Sequence, residues 1–471
     1  MNKLAIVFFL IVALAPVRSQ PKNFIIIFTD DQGYEDLSCF GSNNVKTPNI
    51  DNMAKEGIKL TSFYVASSVC SPSRAALVTG RMPKRVGVPA VLHPYSEDGL
   101  AADEITIAEL LKQKNYATAL VGKWHLGHQT ALLPLNQGFD SYFGIPYSNN
   151  MSVSKDIKVS KDIVFNNGYT LDKMHADMQK AVQGAKASDL KSIQNKPPLL
   201  CGNEVIEYPT NQETLTERYT DEAVSFIKKN KKKPFFLYMA HSFPHVPIYV
   251  GAKFKGSSGT TPYYDAIQEI DWSVGEILKT LKENGLDKNT VVIFTSDNGP
   301  NSFGSAKPLR GHKFDTYEGG QRVPAVIWAP GRIKAGTESS ELLSSLDIFP
   351  TIANWAGIAM PKNRIYDGYN VSDFLEGKTT KSPRNEMFYY SSNSTIIDGI
   401  RSGDWKFLYK GHRLKNSGKL SGDDLVDKLY NLKEDVSEKN NLIKSNPQKA
   451  QELIKRMKEY DSTLEKEIKK K

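Results

Sequence analysis

Residues 23–33 read NFIIIFTDDQG, an apolar run from Phe24 to Phe28 that ends abruptly at Asp30 and Asp31. The run does not alternate with polar residues, so it suits a strand buried on both faces, not one with a wet side. Three further stretches repeat the pattern. YATALVGKWHLG (116–127) ends at Lys123 and His125, PFFLYMAHSFPH (234–245) ends near His241 and His245, and TVVIFTSDNG (290–299) ends at Asp297 and Asn298. Helical patterns lie between them: TPNIDNMAKEG (47–57), TIAELLKQKN (106–115), LTERYTDEAVSFIKKN (215–230) and YYDAIQEIDWSVGEILKTLKENG (263–285). Strands alternating with helices predict an α/β fold built on a mostly parallel, doubly wound sheet. Such sheets bind ligands beyond the carboxyl ends of their strands. Four separate runs deliver Asp, Lys, His or Asn to that one edge, and this convergence weighs more than any single motif.

The chain has 471 residues, enough for one large α/β domain or two unequal ones. A charged content of 24% and a hydrophobic content of 40% are those of an ordinary globular protein. The net charge of +9 is concentrated in lysine runs such as FIKKNKKKP (226–234) and EKEIKKK (465–471), which suit a solvated face or a polyanionic partner. These runs lack interleaved aromatics and helix-turn-helix spacing, which excludes a nucleic-acid module. The opening MNKLAIVFFLIVALAPVRSQ has one lysine, an apolar run over 4–16 and small residues near Ser19, the pattern of a signal peptide over 1–19. No later stretch is apolar enough to span a membrane. The expectation is export to a periplasm, the cell exterior or, in a eukaryote, the lysosome. Cys39, Cys70 and Cys201 are an odd number for an oxidising compartment. A Cys39–Cys201 disulfide and three inert thiols both remain open, and Cys70 is the one expected to stay unpaired.

Residues from about 150 to 212 are polar and read as an insertion. Beyond SSLDIFPTIANWAG (344–357), EMFYYSS (386–392), TIIDGIRSGDWKFLYK (395–410) and DKLYNL (427–432) predict short antiparallel strands, and residues 447–468 a terminal helix. The expected division is a catalytic part over 20–375 and a smaller C-terminal subdomain over 376–471.

SSVCSPSRAALVTGR (67–81) places Cys70 before a Ser-Pro step and a short helix. Ser71 suits the cap, Pro72 the first helical position and Gly80 the stop. A cysteine just outside a helix N-terminus, close to Arg74, lies where a thiol acidifies and an anion binds. Asp30, Asp31, Asp297 and Asn298 form an all-oxygen set that favours Ca²⁺ or Mg²⁺ over softer metals, although either pair alone is usually a cap or a turn. Arg74, Lys123, His125, His245 and Lys313 together describe a pocket for a tetrahedral oxyanion with imidazoles able to move protons. The residues therefore predict a metal-assisted hydrolase of an anionic ester, with phosphate and sulfate both open.

CSPSRAALVTGR (70–81) is similar, at every fixed position, to the type I sulfatase signature, and GKWHLG (122–127) resembles the second signature of that family. DDQGYED (30–36), GIPYS (144–148), TSDNG (295–299) and TYEGGQRVPA (316–325) look like further sulfatase blocks in the expected order. The resemblance runs from Asn23 through DKLYNLKEDVSEKNNL (427–442), within the alkaline phosphatase superfamily and nearest the arylsulfatase A and N-acetylgalactosamine-6-sulfatase branch. It implies a large mixed sheet flanked by helices, with a smaller C-terminal α+β subdomain carrying a short antiparallel sheet. It further implies that a formylglycine-generating enzyme, recognising Pro72 and Arg74, oxidises Cys70 to an aldehyde that hydrates to a diol. One hydroxyl would attack sulfur and the second would later expel sulfate. By the same resemblance, Ca²⁺, less well Mg²⁺, is held by Asp30, Asp31, Asp297 and Asn298 and touches the group derived from Cys70. Arg74 and His125 orient the diol and Asp297 takes its proton. Lys123 and Lys313 grip the sulfate beside Ser148, and His245 protonates the leaving oxygen, with His241 a weaker competitor. The expected substrate is a sulfated glycan or aryl sulfate. Asn149 and Asn150 stand where relatives often have His-Asp, at the place where sugar contacts are expected. A phosphodiester or phosphonate monoester hydrolase, and a silent glycan binder with unmodified Cys70, are the alternatives.

Overall fold

The computed structural model describes residues 23–410 and 425–469; the expected signal peptide at 1–19 lies outside the described residues. Twelve strands form one mixed sheet among those residues: β1 (Asn23–Thr29), β2 (Ile58–Tyr64), β3 (Ala117–Gly122), β4 (Ser141–Gly144), β5 (Lys158–Phe165), β6 (Leu199–Cys201), β7 (Glu204–Tyr208), β8 (Phe235–Ala240), β9 (Thr290–Ser296), β10 (Arg322–Trp328), β11 (Thr337–Ser339) and β12 (Leu343–Ser344). Their order is β11-β2-β10-β9-β1-β8-β3-β4-β6-β7-β5, with β12 also pairing β2. The four runs singled out in the sequence are the adjacent central strands β9, β1, β8 and β3, all parallel. Register aligns their carboxyl ends: Thr29 pairs with Ser296, Phe28 with Ala240, and Ala240 with Gly122. A Cβ on Gly122 would lie 1.8 Å from the Ala240 carbonyl oxygen, so only glycine admits this close approach.

Both faces of the centre are covered. Phe24, Ile26 and Phe28 pack with Leu77, Leu111, Phe349 and Ile352 on one side. Ile25 and Ile27 pack on the other with Leu215, Tyr219, Ile270 and Ile277 from the helices Leu215–Asn230 and Pro262–Glu283. Thr106 and Glu109 form the reciprocal cap that starts the helix Ile107–Lys112. No helix among the described residues is long and apolar enough to cross a membrane.

The stretch from 150 to 212 departs from the expectation of an irregular insertion. It contains the helices Leu171–Lys180 and Ala187–Ile193, and β5, β6 and β7 extend the large sheet at one edge. Its polarity reflects an edge position, since β5 is largely exposed. The four C-terminal strands, β13 (Glu386–Tyr390), β14 (Ile397–Ser402), β15 (Trp405–Leu408) and β16 (Lys428–Asn431), form a separate antiparallel sheet packed by the helix Pro447–Ile468. A buried ionic network joins the two sheets. Lys406 Nζ of β15 lies 2.9 Å from both Glu318 Oε1 and Glu438 Oε1. Glu318 Oε2 accepts from the Tyr64 hydroxyl, which in turn accepts from Arg401. All three cysteines are free thiols, so neither Cys39 nor Cys201 is in a disulfide.

Candidate functional site

The level strand ends bring the predicted residues together. Asp30 and Asp31 follow β1, Asp297 and Asn298 follow β9, and Lys123 and His125 follow β3, all at or below 1% exposure. Asp31 and His125 take positive φ, 64° and 61°, conformations that ordinary residues adopt only where the surroundings impose them. Here Asp31 N–H donates to Asp297 Oδ1 at 3.2 Å, closing β1 onto β9.

Cys70 is the first residue of the helix Cys70–Thr79, with Val69 at the cap. This corrects the expectation for Ser71, which lies inside the helix and accepts from Leu92 N–H at 3.1 Å instead of capping. Gly80 ends the helix in the left-handed conformation, as expected. The thiol is also not acidified. Burial pushes Cys70 above its ordinary value and outweighs the opposing fields of Lys123 and Lys313.

Each carboxylate meets a cation. Arg74 Nη2 lies 2.8 Å from Asp297 Oδ2 and 3.8 Å from Asp30 Oδ2. Lys123 Nζ donates to Asp30 Oδ2 at 2.6 Å and to Ser148 Oγ at 2.5 Å. Lys313 Nζ lies 2.7 Å from Asp31 Oδ1, which also accepts from Asn298 Nδ2 at 2.7 Å. Burial alone would raise Asp30, but Lys123, His245 and Arg74 hold it well below the usual carboxylate range. Asp297 goes the other way, pushed up by burial and then by Asp30. Two buried oxygens in this cluster, Asp30 Oδ1 and Asn298 Oδ1, have no hydrogen-bond partner. An orphaned buried oxygen costs about 1–3 kcal/mol, and two beside Asp31 and Asp297 offer the donor chemistry of a hard divalent cation. Asp30, Asp31 and His245 also present ligand atoms within 4.8 Å of one another.

The imidazoles are neutral. Burial, then Lys123, drives His125 well below its usual value; its Nε2 meets Leu92 O at 2.9 Å and Nδ1 is unpartnered. Burial and Lys313 lower His245 to about 4. His245 Nδ1 lies 2.9 Å from Asn149 Oδ1, and the Asn149 amide nitrogen donates to Gln212 Oε1 at 3.1 Å and to Pro247 O at 2.7 Å. Those two acceptors fix the amide, so its oxygen faces His245 and the proton sits on Nδ1. Nε2 is left toward Asp31 Oδ2, 3.7 Å away. His241 is buried with both ring nitrogens unpartnered, and burial lowers it to about 3. Asn149 is thus a support for His245, a role the sequence signalled only as a departure after GIPYS. Gln212 carried no signal, because its partner lies 63 residues away.

The sulfatase family model matches residues 22–358, and the model described as N-sulphoglucosamine sulphohydrolase, C-terminal, matches residues 312–467. The chain belongs to the sulfatase family. This sulfatase is 37% identical to arylsulfatase A of Homo sapiens over 453 residues, covering 90% of this chain and 84% of that protein. It is 37% identical to N-acetylgalactosamine-6-sulfatase of Mus musculus over 414 residues, covering 83% and 73%. The crystal structure of Ps i-CgsB in complex with k-i-k-neocarrahexaose superposes with a TM-score of 0.77 at 29% identity, covering 94% of this chain and 93% of that one. The sulfatase is therefore a type I enzyme and a sulfuric ester hydrolase.

Proposed function

We propose that this sulfatase hydrolyses sulfate esters on a carbohydrate, using formylglycine derived from Cys70 and Ca²⁺ held by Asp30, Asp31, Asp297 and Asn298. The observation that carries this reading is the pair of orphaned buried oxygens, Asp30 Oδ1 and Asn298 Oδ1, in the same charged cluster that surrounds Cys70. Bound there, Ca²⁺ supplies Lewis-acid stabilisation of the charge on the transferring sulfuryl group. The hydrated aldehyde supplies a nucleophilic hydroxyl and a second hydroxyl through which sulfate leaves.

The chain's own side chains do the rest. Lys123 and Lys313 present cationic donors to the sulfate oxygens, and Ser148, already bonded to Lys123, adds a hydroxyl on the same side. Arg74, pinned by Asp297, and His125, pinned by Leu92, orient the nucleophile, and Asp297 accepts its proton. His245 delivers a proton from Nε2 to the leaving oxygen, while Asn149 keeps Nδ1 protonated. The field of Lys313 disfavours that charged imidazole, and an anionic substrate on Lys313 offsets it, so proton uptake and substrate binding go together.

Cys70 and Arg74 are buried, at 2% and 0% exposure, so a formylglycine-generating enzyme must read residues 70–74 before the chain folds. That order fits an exported protein with a signal peptide at 1–19, a catalytic part at 20–375 and a C-terminal part at 376–471. The test compares 4-nitrophenyl sulfate with 4-nitrophenyl phosphate and bis(4-nitrophenyl) phosphate. Preference for the sulfate ester is expected; preference for either phosphate ester overturns the reading in favour of a phosphate or phosphonate hydrolase.

A further inference from the structure

Two chain segments leave the reactive centre and come together again around a cavity. One leaves from Leu92, whose N–H bonds Ser71 beside Cys70 and whose carbonyl meets His125. It continues directly into His93, Pro94 and Tyr95. The other leaves from Ser148, the partner of Lys123, and reaches Asn150 two residues later. Two residues of chain span at most about 7 Å, so the cavity begins next to the sulfate-binding groups. Its volume is about 170 Å³, and the helix Ala187–Ile193 closes it with Leu190 and Ile193. That is smaller than the roughly 300–1,000 Å³ of a drug-sized site, so it suits one ring and not a chain.

The lining defines the ligand. His93 and Tyr95 stack on each other with centroids 5.0 Å apart and planes 4° from parallel, making a flat aromatic wall. Met151, Leu190 and Ile193 add apolar surface, and Asn150, Ser152 and Gln194 are neutral polar residues of the lining. No Lys, Arg, Asp or Glu lines the cavity, and burial keeps His93 below its ordinary value, hence neutral. An aromatic wall for an apolar ring face, a few neutral polar side chains for hydroxyls and no charge describe a site for a neutral pyranose. A second sulfate or a carboxylate would be desolvated there without a counter-ion. We propose that this cavity is a subsite for the uncharged sugar ring that adjoins the sulfated unit of a glycan substrate.

The inference rests on the sulfatase reading, and its test separates the two. The probes are 4-nitrophenyl sulfate, sulfated galactose and N-acetylgalactosamine as monosaccharides, the same units linked to neutral galactose, and the same units linked to sulfated galactose. For the wild-type holoenzyme, a neutral second ring should raise kcat/KM about tenfold or more through KM, and a sulfated second ring should not. Tyr95→Ala should abolish that gain. Leu190→Trp, which fills the cavity, should abolish it too, with an unchanged melting temperature showing that each variant is folded. A gain that survives both substitutions, or a sulfated second ring that outperforms the neutral one, overturns the subsite. Turnover of 4-nitrophenyl sulfate with none of any saccharide also overturns it and leaves the enzyme a sulfatase. No turnover of any sulfate ester overturns the catalytic reading, and the subsite with it.

Discussion

Two clusters of buried charge lie in this molecule, built from the same kinds of residue to opposite ends. In the network joining the two sheets, Glu318, Lys406 and Glu438 are all fully buried, and both glutamates meet Lys406 at 2.9 Å. Glu438 Oε2 accepts Glu318 N–H at 2.7 Å, and Glu318 also accepts from Tyr64. Burial raises Glu318, but Lys406, Arg401 and Arg322 outweigh it and hold the acid ionised. At the strand ends Asp30, Asp31 and Asp297 likewise meet Lys123, Lys313 and Arg74. There, however, Asp30 Oδ1, Asn298 Oδ1 and His125 Nδ1 are left without a hydrogen-bond partner. Ion pairing is common to both clusters, and so is positive-φ backbone, at Glu438 as at Asp31 and His125, so neither discriminates. Glu438 Oε1 lacks a hydrogen bond but still meets Lys406, whereas Asp30 Oδ1 and Asn298 Oδ1 meet no cation, and it is these oxygens that set the strand-end cluster apart.

The difference can be broken experimentally at both clusters. The largest effect is expected at the centre: Cys70→Ala should lose more than about 10⁴-fold in kcat with little change in melting temperature. Cys70→Ser should accumulate a sulfate adduct visible by mass spectrometry, because a single hydroxyl can attack but not expel. Asp297→Asn should cost about 10²–10³-fold in kcat. It should also weaken the thermal stabilisation that Ca²⁺ gives, measured as melting temperature with and without chelator. Undiminished melting and turnover after chelation would show that the cations Arg74, Lys123 and Lys313 suffice.

The joining network should respond oppositely. Lys406→Met leaves two buried glutamates facing each other and should lower stability by about 3–5 kcal/mol in chemical denaturation, with kcat unaltered. Asn149→Ala should reduce kcat about 10–100-fold on sulfated sugars and much less on 4-nitrophenyl sulfate, whose leaving group scarcely needs the proton from His245. The smallest effect is electrostatic. Burial and Glu318 push Glu438 up to about 7 against the pull of Lys406. The folded chain therefore holds a proton that the unfolded chain has released, so this contribution to stability is present at low pH and lost as pH rises through about 7. Melting temperature should fall less steeply between about pH 5 and pH 8 in Glu438→Gln than in wild type.

The central sheet and the site were legible because both rest on local signals. Unalternating runs such as Phe24–Phe28 announce strands covered on both faces, and in a parallel sheet the residues just past such runs collect at one edge. Positions set by long-range packing were not legible. Ser71 had the chemistry of a cap and Pro72 that of a first helical residue, yet the helix begins two residues earlier, at Cys70, and turns the Ser71 hydroxyl to Leu92. Cys70 looked acidified by a helix terminus, but at 2% exposure desolvation prevails. Strand β5 was hidden because an edge strand with both faces partly wet has no hydrophobic period, and β6 and β7, three and five residues long, are too short to show one. Gln212 reaches His245 only through Asn149, a contact that no spacing in the sequence encodes.

The central claim, that the unsatisfied cluster is a formylglycine sulfatase centre, is tested most directly by peptide mass spectrometry across residues 67–81 of the purified protein. The sample should be one whose turnover of 4-nitrophenyl sulfate has been measured. The account predicts an aldehyde or its hydrate at position 70, in a fraction that tracks turnover from preparation to preparation. A fully alkylatable cysteine thiol at position 70 in protein that turns over at undiminished rate would contradict it.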